Sequence, residues 1–121
     1  MKECLVGIDS CGTNMKVGCF SKNGRRLFLT KRRNIPITTK EGHFYFDYEY
    51  QKKMIFDMLK EVINNGFNIL SIGTGSCGEA VYPLDENGNI VDNAIAWSCR
   101  RTVEQAQEFT QKISEREVFE I

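Results

Sequence analysis
The chain opens on an almost unbroken apolar run, Cys4-Leu5-Val6-Gly7-Ile8, that stops at Asp9. Such a run predicts a strand that delivers one carboxylate to its C-terminal end. Ser10-Cys11-Gly12-Thr13 is a small-residue turn, and a second strand covers roughly Asn14 to Phe20. Ser21-Lys22-Asn23-Gly24 then reverses the chain, because Asn-Gly accepts the positive φ angles of a tight hairpin. The third strand spans about Arg25 to Ile35, with Leu27, Leu29 and Lys31 on one side and Phe28 and Thr30 on the other, until Pro36 ends hydrogen-bond donation.

After a loop from Thr38 to Phe46 the apolar period lengthens. Ile55, Met58, Leu59, Val62 and Ile63 form a stripe at helical spacing, so a helix runs from a cap at Asp47 to about Asn64. Asn65-Gly66 stops it, and Phe67 to Gly73 reads as a short buried strand pairing parallel to the first. Beyond Gly75 to Glu79, Ala80 to Leu84 is strand-like, Asp85 to Asn89 is a turn, and Ala94-Ile95-Ala96-Trp97 follows. Thr102 caps a last helix through about Ser114, with Val103, Ala106, Phe109 and Ile113 as its buried face.

Composition narrows this picture. The 121 residues, 41% of them hydrophobic, suffice for one core and not two. Sixteen basic and sixteen acidic residues cancel, so no global field draws the chain to nucleic acid or to an acidic membrane. Lys31-Arg32-Arg33 is read as a solvated strand edge that resists aggregation. The five cysteines are odd in number and contain no C-x-x-C pair, which fits reduced thiols and a cytoplasmic setting better than a disulfide framework or a zinc site. No apolar run approaches membrane-spanning or signal-peptide length.

Three antiparallel strands, a helix and a parallel strand define an α/β domain of the ribonuclease-H-like kind, which serves nucleases and also the ATPase lobes of sugar kinases, actin and heat-shock chaperones. A nuclease needs several carboxylates around two metal ions. Asp9 and Glu49 are available, but the next strand end, Gly73-Thr74-Gly75-Ser76, has no acid. Asp9 beside a Gly/Thr turn suits a phosphate-bound metal ion next to anion-binding amides. Taken alone, Glu79 is an ordinary solvated acid and Trp97 an ordinary core residue, and the lone His43 carries no catalytic role.

Gly7-Ile8-Asp9-Ser10-Cys11-Gly12-Thr13-Asn14-Met15-Lys16 resembles the Gly-x-Asp-x-Gly-Thr-Thr-x-x-Lys/Arg turn of the FGGY carbohydrate kinases. Cys11 stands where that family has glycine and Gly12 where it has Thr, so that wherever the turn needs angles closed to Cys11 its backbone freedom falls to Gly12. Ile72 to Glu79 is similar to the family's Ile-Gly-Ile-(Ser/Thr)-x-Gln-x-x segment. Asp85-Glu86-Asn87-Gly88, with Trp97 and Arg100-Arg101 at a fixed distance beyond it, is similar to the family's turn and Trp-x-x-x-Arg segment. Where the family's glycerol-using members carry Arg-Glu, this chain has Gly78-Glu79.

The resemblance implies ATP and Mg²⁺ as cofactors and a sugar, sugar acid or polyol as substrate. It assigns the ATP phosphates to Asp9, Gly12, Thr13, Asn14 and Lys16, with Asp9 reaching the metal through water, and the substrate to Gly78, Glu79 and Trp97. Either Arg100 or Arg101 is expected to form an ion pair or to face the substrate cleft. Residues 1–121 would be the N-terminal part of the first kinase domain, with the general base and second nucleotide lobe beyond Ile121. Such a piece is expected to be inactive alone and to self-associate, either by pairing exposed strand edges or by exchanging its terminal helix between copies. The alternative is a non-catalytic domain of the same fold that binds a sugar or a protein partner.

Overall fold
The computed structural model describes residues 1–120. Its main sheet contains β1 (Lys2–Ser10), β2 (Asn14–Phe20), β3 (Arg26–Arg33) and β6 (Phe67–Ser76), in the order β3-β2-β1-β6. β1 pairs antiparallel with β2 and parallel with β6, and β2 pairs antiparallel with β3. The hairpin at Ser21–Gly24 turns on Gly24 at φ 82°, a left-handed conformation that a side chain resists.

One face of this sheet is closed by α1 (Tyr48–Asn64). The Asp47 side chain accepts the Tyr50 N–H at 2.9 Å and caps the helix start. At the other end Gly66, at φ 83°, stops the helix, and its carbonyl accepts the Lys2 N–H at 2.8 Å, tying helix end to β1 start. Alternate residues Cys4, Val6 and Ile8 of β1 and Met15, Val17 and Cys19 of β2 face Met54, Met58 and Val62, which recur every four residues along α1. The expected stripe holds at Met58 and Val62, with Ile55 and Leu59 packed against the core; Met54 joins it, whereas Ile63 is exposed. A bulge between Cys19 and Phe20 turns both Leu27 and Phe28 towards the core, so the strict two-sided alternation expected of β3 is broken at its start. Buried Thr30 and exposed Arg32 both bond Glu61 of α1, at 2.9 and 2.6 Å, and Lys31 and Arg33 also lie exposed on the sheet edge.

A second, small sheet occupies the segment expected to be a loop. β4 (Ile37–Thr38), β5 (Phe44–Phe46) and β7 (Ala94–Ile95) pair antiparallel in the order β4-β5-β7. Phe46, Ala94 and Ala96 form its core, with Phe44, Ala80 and Tyr82 packed against it. Ala80 to Leu84 is not a strand; it holds a single bridge, Leu84 to Ile90, around a turn that the Asp85 carboxylate organises by accepting the N–H groups of Asn87 and Asn89.

Two further expectations are corrected. β6 is longer than expected and is an exposed edge, with Leu70 and Ile72 open to solvent. α2 (Val103–Lys112) buries none of its residues, and Thr102 makes no side-chain capping bond. A short α3 (Glu115–Glu120) follows. Apolar periodicity reports which face a helix or strand is built to cover, and among the described residues nothing covers these two. Also among the described residues, no helix is long and apolar enough to cross a membrane.

Candidate functional site
Asp9 and Lys16 are direct cross-strand partners in the β1–β2 ladder, on the sheet face opposite α1. Their side chains meet at 2.8 Å, each 42% exposed. The second carboxylate oxygen of Asp9 accepts the Cys11 thiol at 2.7 Å. The Cys11 bond first, and the Lys16 bond next, hold the Asp9 carboxyl below its ordinary value of 3.8, and the Asp9 bond pushes the Lys16 ammonium up. A depressed folded value means that the linked stability is present above the unfolded value and is lost as pH falls through the folded one. A carboxyl-detected NMR titration should therefore give Asp9 a midpoint below 3.8, and Lys16→Met should raise it. A wild-type midpoint at or above 3.8 contradicts the pairing.

The floor beside this pair is bare because Gly7 and Gly18 face each other across the ladder. The Phe20 ring lies over both, 3.7 Å from where a Gly7 Cβ would stand and 3.0 Å from that of Gly18. Together with Leu29 these residues shape an open groove of about 260 Å³ that runs up to Asp9 and Lys16.

The turn itself needs no left-handed residue. Neither Cys11 nor Gly12 has a positive φ, so Cys11 meets no angles closed to it and the condition for shifting backbone freedom to Gly12 does not arise. Gly12 supplies space instead: a Cβ there would sit 2.9 Å from Trp97 Nε1 and 3.4 Å from the Phe46 ring. Asn34, buried to 3% exposure, fastens the turn from behind, its N–H donating to the Thr13 carbonyl at 3.0 Å and its Nδ2 to the Cys11 carbonyl at 3.2 Å. The N–H groups of Gly12 and Thr13 donate to no main-chain carbonyl among the described residues. Gly12, Thr13, Asn34, Phe46 and Trp97 line a cleft of about 450 Å³.

Trp97 is thus brought onto the β1–β2 turn, 65% exposed and not a core residue. As the sole tryptophan it reports on the turn. Gly12→Ala should displace its ring and change both emission maximum and acrylamide quenching; an unchanged spectrum contradicts the packing. Thr13 is exposed and Asn14 begins β2 opposite Arg33. Gly78 and Glu79 form an exposed turn after β6, and no hydrogen bond joins Glu79 to Trp97 or Asp9 among the described residues.

Among the described residues Arg101 neither pairs with a carboxylate nor lines these clefts. Its guanidinium stacks 4.3 Å from the Tyr45 ring, donates to the Tyr45 hydroxyl at 2.7 Å and to the Cys99 sulfur at 3.2 Å. The Phe44 N–H first, and Arg101 second, pull the Cys99 thiol down to about 7. This cluster anchors the start of α2 to β5. Neither it nor the role of Asn34 had a signal in the sequence, since both depend on β5 and the loop around Asn34 meeting residues far along the chain.

The cofactors that the resemblance implies can be tested on these groups. Free amides at Gly12 and Thr13 and a cation at Lys16 fit a polyphosphate. No cluster of three acidic, histidine or cysteine side chains exists among the described residues. A divalent ion therefore fits only as one held largely by phosphate and water, with Asp9 in its outer shell.

The first hairpin of this mixed sheet presents a carboxylate, a cation and turn amides without main-chain partners on one side. Solved structures share the fold: xylulose kinase of Rhodospirillum rubrum superposes with a TM-score of 0.77 at 15% identity, covering 93% of this chain and 24% of that one. Plasmodium falciparum glycerol kinase, solved with ADP, gives 0.76 at 19% identity over 93% of this chain and 24% of its own. The fold is that of the actin-like ATPases, the ribonuclease-H-like class.

The chain belongs to the FGGY family of carbohydrate kinases, matching the N-terminal domain of that family over residues 4–121. It is 30% identical over 121 residues to a rhamnulokinase of Bacteroides thetaiotaomicron and 32% identical over 117 residues to glycerol kinase 2 of Clostridium tetani. Those alignments take in 98% and 93% of this chain but 25% and 24% of the relatives, so the chain spans about a quarter of their length.

Proposed function
We propose that this chain is the part of an ATP-dependent carbohydrate kinase that grips the ATP phosphates and one side of the substrate, a sugar, sugar acid or polyol. The observation that carries the reading is the packing of Trp97 on Gly12, which sets a substrate-side aromatic ring against the phosphate turn. ATP, when bound, supplies the γ-phosphoryl group and Mg²⁺ neutralises its charge. Lys16 and the amides of Gly12, Thr13 and Asn14 would hold and orient phosphate oxygens, and Asp9 would help hold the ion through water. Trp97 excludes water and packs against the carbon face of the substrate, while Glu79 accepts hydrogen bonds from its hydroxyls. A Cβ on Gly78 would meet nothing within 4 Å, which leaves room for a substrate longer than glycerol.

The general base is assigned to residues outside 1–121, so this chain alone should turn over no ATP. Its exposed β6 edge supports the expectation that it self-associates. The test is ADP release by the longest protein that contains this chain, supplied with rhamnulose, xylulose, gluconate or glycerol. Sugar-dependent release with at least one supports the reading; binding without turnover for all of them favours the non-catalytic domain. In the active protein Glu79→Ala should weaken sugar binding by about 1–3 kcal/mol and leave ATP binding intact. Equal loss of both ligands would remove Glu79 from the substrate site.

A further inference from the structure
β1 and β6 run parallel and stay paired up to Ser10 and Ser76. The Ser76 hydroxyl donates to the Ser10 carbonyl at 3.1 Å and holds the two strand ends together. The next residue on each strand is a cysteine. Cys11 and Cys77 are half-buried free thiols that line one narrow cleft of about 90 Å³ with Asn34, Phe46 and Tyr82. Neighbouring strands lie about 4.8 Å apart, within the ~4.4–6.8 Å between Cα atoms that a disulfide spans.

We propose that Cys11 and Cys77 form a reversible disulfide that staples the phosphate turn to the 77–79 loop. The oxidant is a small-molecule disulfide such as oxidised glutathione. The Cys77 sulfur attacks it, forms a mixed disulfide and releases one glutathione thiol. The Cys11 sulfur then attacks the Cys77 sulfur and releases the second, and the two protons of the protein thiols end on the two glutathiones. Two protein thiols are oxidised to one disulfide, and one glutathione disulfide is reduced to two thiols.

The link reaches into the site. It removes the S–H that Asp9 accepts at 2.7 Å, leaving Lys16 as the donor to that carboxylate, and fixes the turn bearing Gly78 and Glu79. Cys4 and Cys19 are also neighbours, but they lie in the closed core at 1% and 0% exposure, where burial pushes Cys19 up to about 12. No solvent oxidant reaches them in the folded chain.

The experiment follows the 121-residue protein in glutathione buffers moved stepwise from reduced to oxidised, with free thiols then capped. Free thiols should fall by two from five. Cleavage after Lys or Arg and before Asp isolates Cys11 in Asp9–Lys16 and Cys77 in Glu61–Leu84. Those two peptides should appear joined, at their summed mass less two hydrogens, and a reductant should separate them. In Cys11→Ser the join should vanish and Cys77 should carry one glutathione. No joined peptide in fully oxidised buffer, or a join between Cys4 and Cys19 instead, overturns the proposal. The wild-type peptide map decides this whether or not the serine variant folds.

Discussion

Asp9→Ala in the complete, active protein is expected to lower turnover by on the order of 10²–10³-fold, the scale of losing one preorganised electrostatic contact in a phosphoryl-transfer site. The Michaelis constant for the sugar should move far less. Asp9 stands at the end of β1 on the face opposite α1, bonded to Lys16 and to Cys11, and touches no substrate-side residue. Its loss would free the Lys16 ammonium and, on the proposed function, remove the acceptor for outer-shell water of the metal ion, effects that matter most when charge shifts between phosphate oxygens. Near-normal turnover in that variant would take Asp9 out of the mechanism. A parallel rise in the sugar's Michaelis constant would place it on the substrate side.

Met58→Ala should cause the largest loss of stability of any single change in the helix, about 2–5 kcal/mol, the usual cost of deleting a fully buried large side chain. Met58 is 0% exposed and lies midway between Met54 and Val62, against the sheet side chains Met15 and Val17. Against a total of roughly 5–15 kcal/mol for a domain, that is a large fraction. Phe56, two residues earlier and 55% exposed, is the internal control: Phe56→Ala should shift stability by about 0.5 kcal/mol or less. Urea unfolding of the two variants compares them, and equal effects would contradict the assignment of the buried face.

The first hairpin and α1 were legible in the sequence because local chemistry decides them. Asn23-Gly24 demands a tight turn, Asp47 caps, Asn65-Gly66 stops, and the run to Asp9 has one possible direction. The turn pattern around Asp9 and Lys16 carried the family, and the structure joins those two side chains. Burial on β6 and α2 was misread, since Leu70, Ile72, Val103 and Phe109 are apolar yet exposed: a stripe states what a surface is fit to cover, not which segment covers it.

Phe44-Tyr45-Phe46 is too short to show a strand period, so β5 and its sheet were invisible. Gly12 was read as a matter of backbone angle when its role is to make room for a ring 85 residues further along the chain, and no local pattern reports a contact between Gly12 and Trp97. Asn34 is illegible for the same reason. Its side chain acts on the Cys11 carbonyl, and that meeting exists only once β3 has been laid beside β2.

The account turns on the β1–β2 turn being the place where phosphate is held. The most direct measurement is a residue-resolved amide NMR titration of this chain with Mg²⁺ and ATP. The predicted result is a set of shifts concentrated on Gly12, Thr13, Asn14 and Lys16, with the Trp97 indole moving in step, and a marked weakening in Lys16→Met. Shifts that bypass the turn and gather on the exposed Lys31 and Arg33 edge, or that persist unchanged in Lys16→Met, would contradict it.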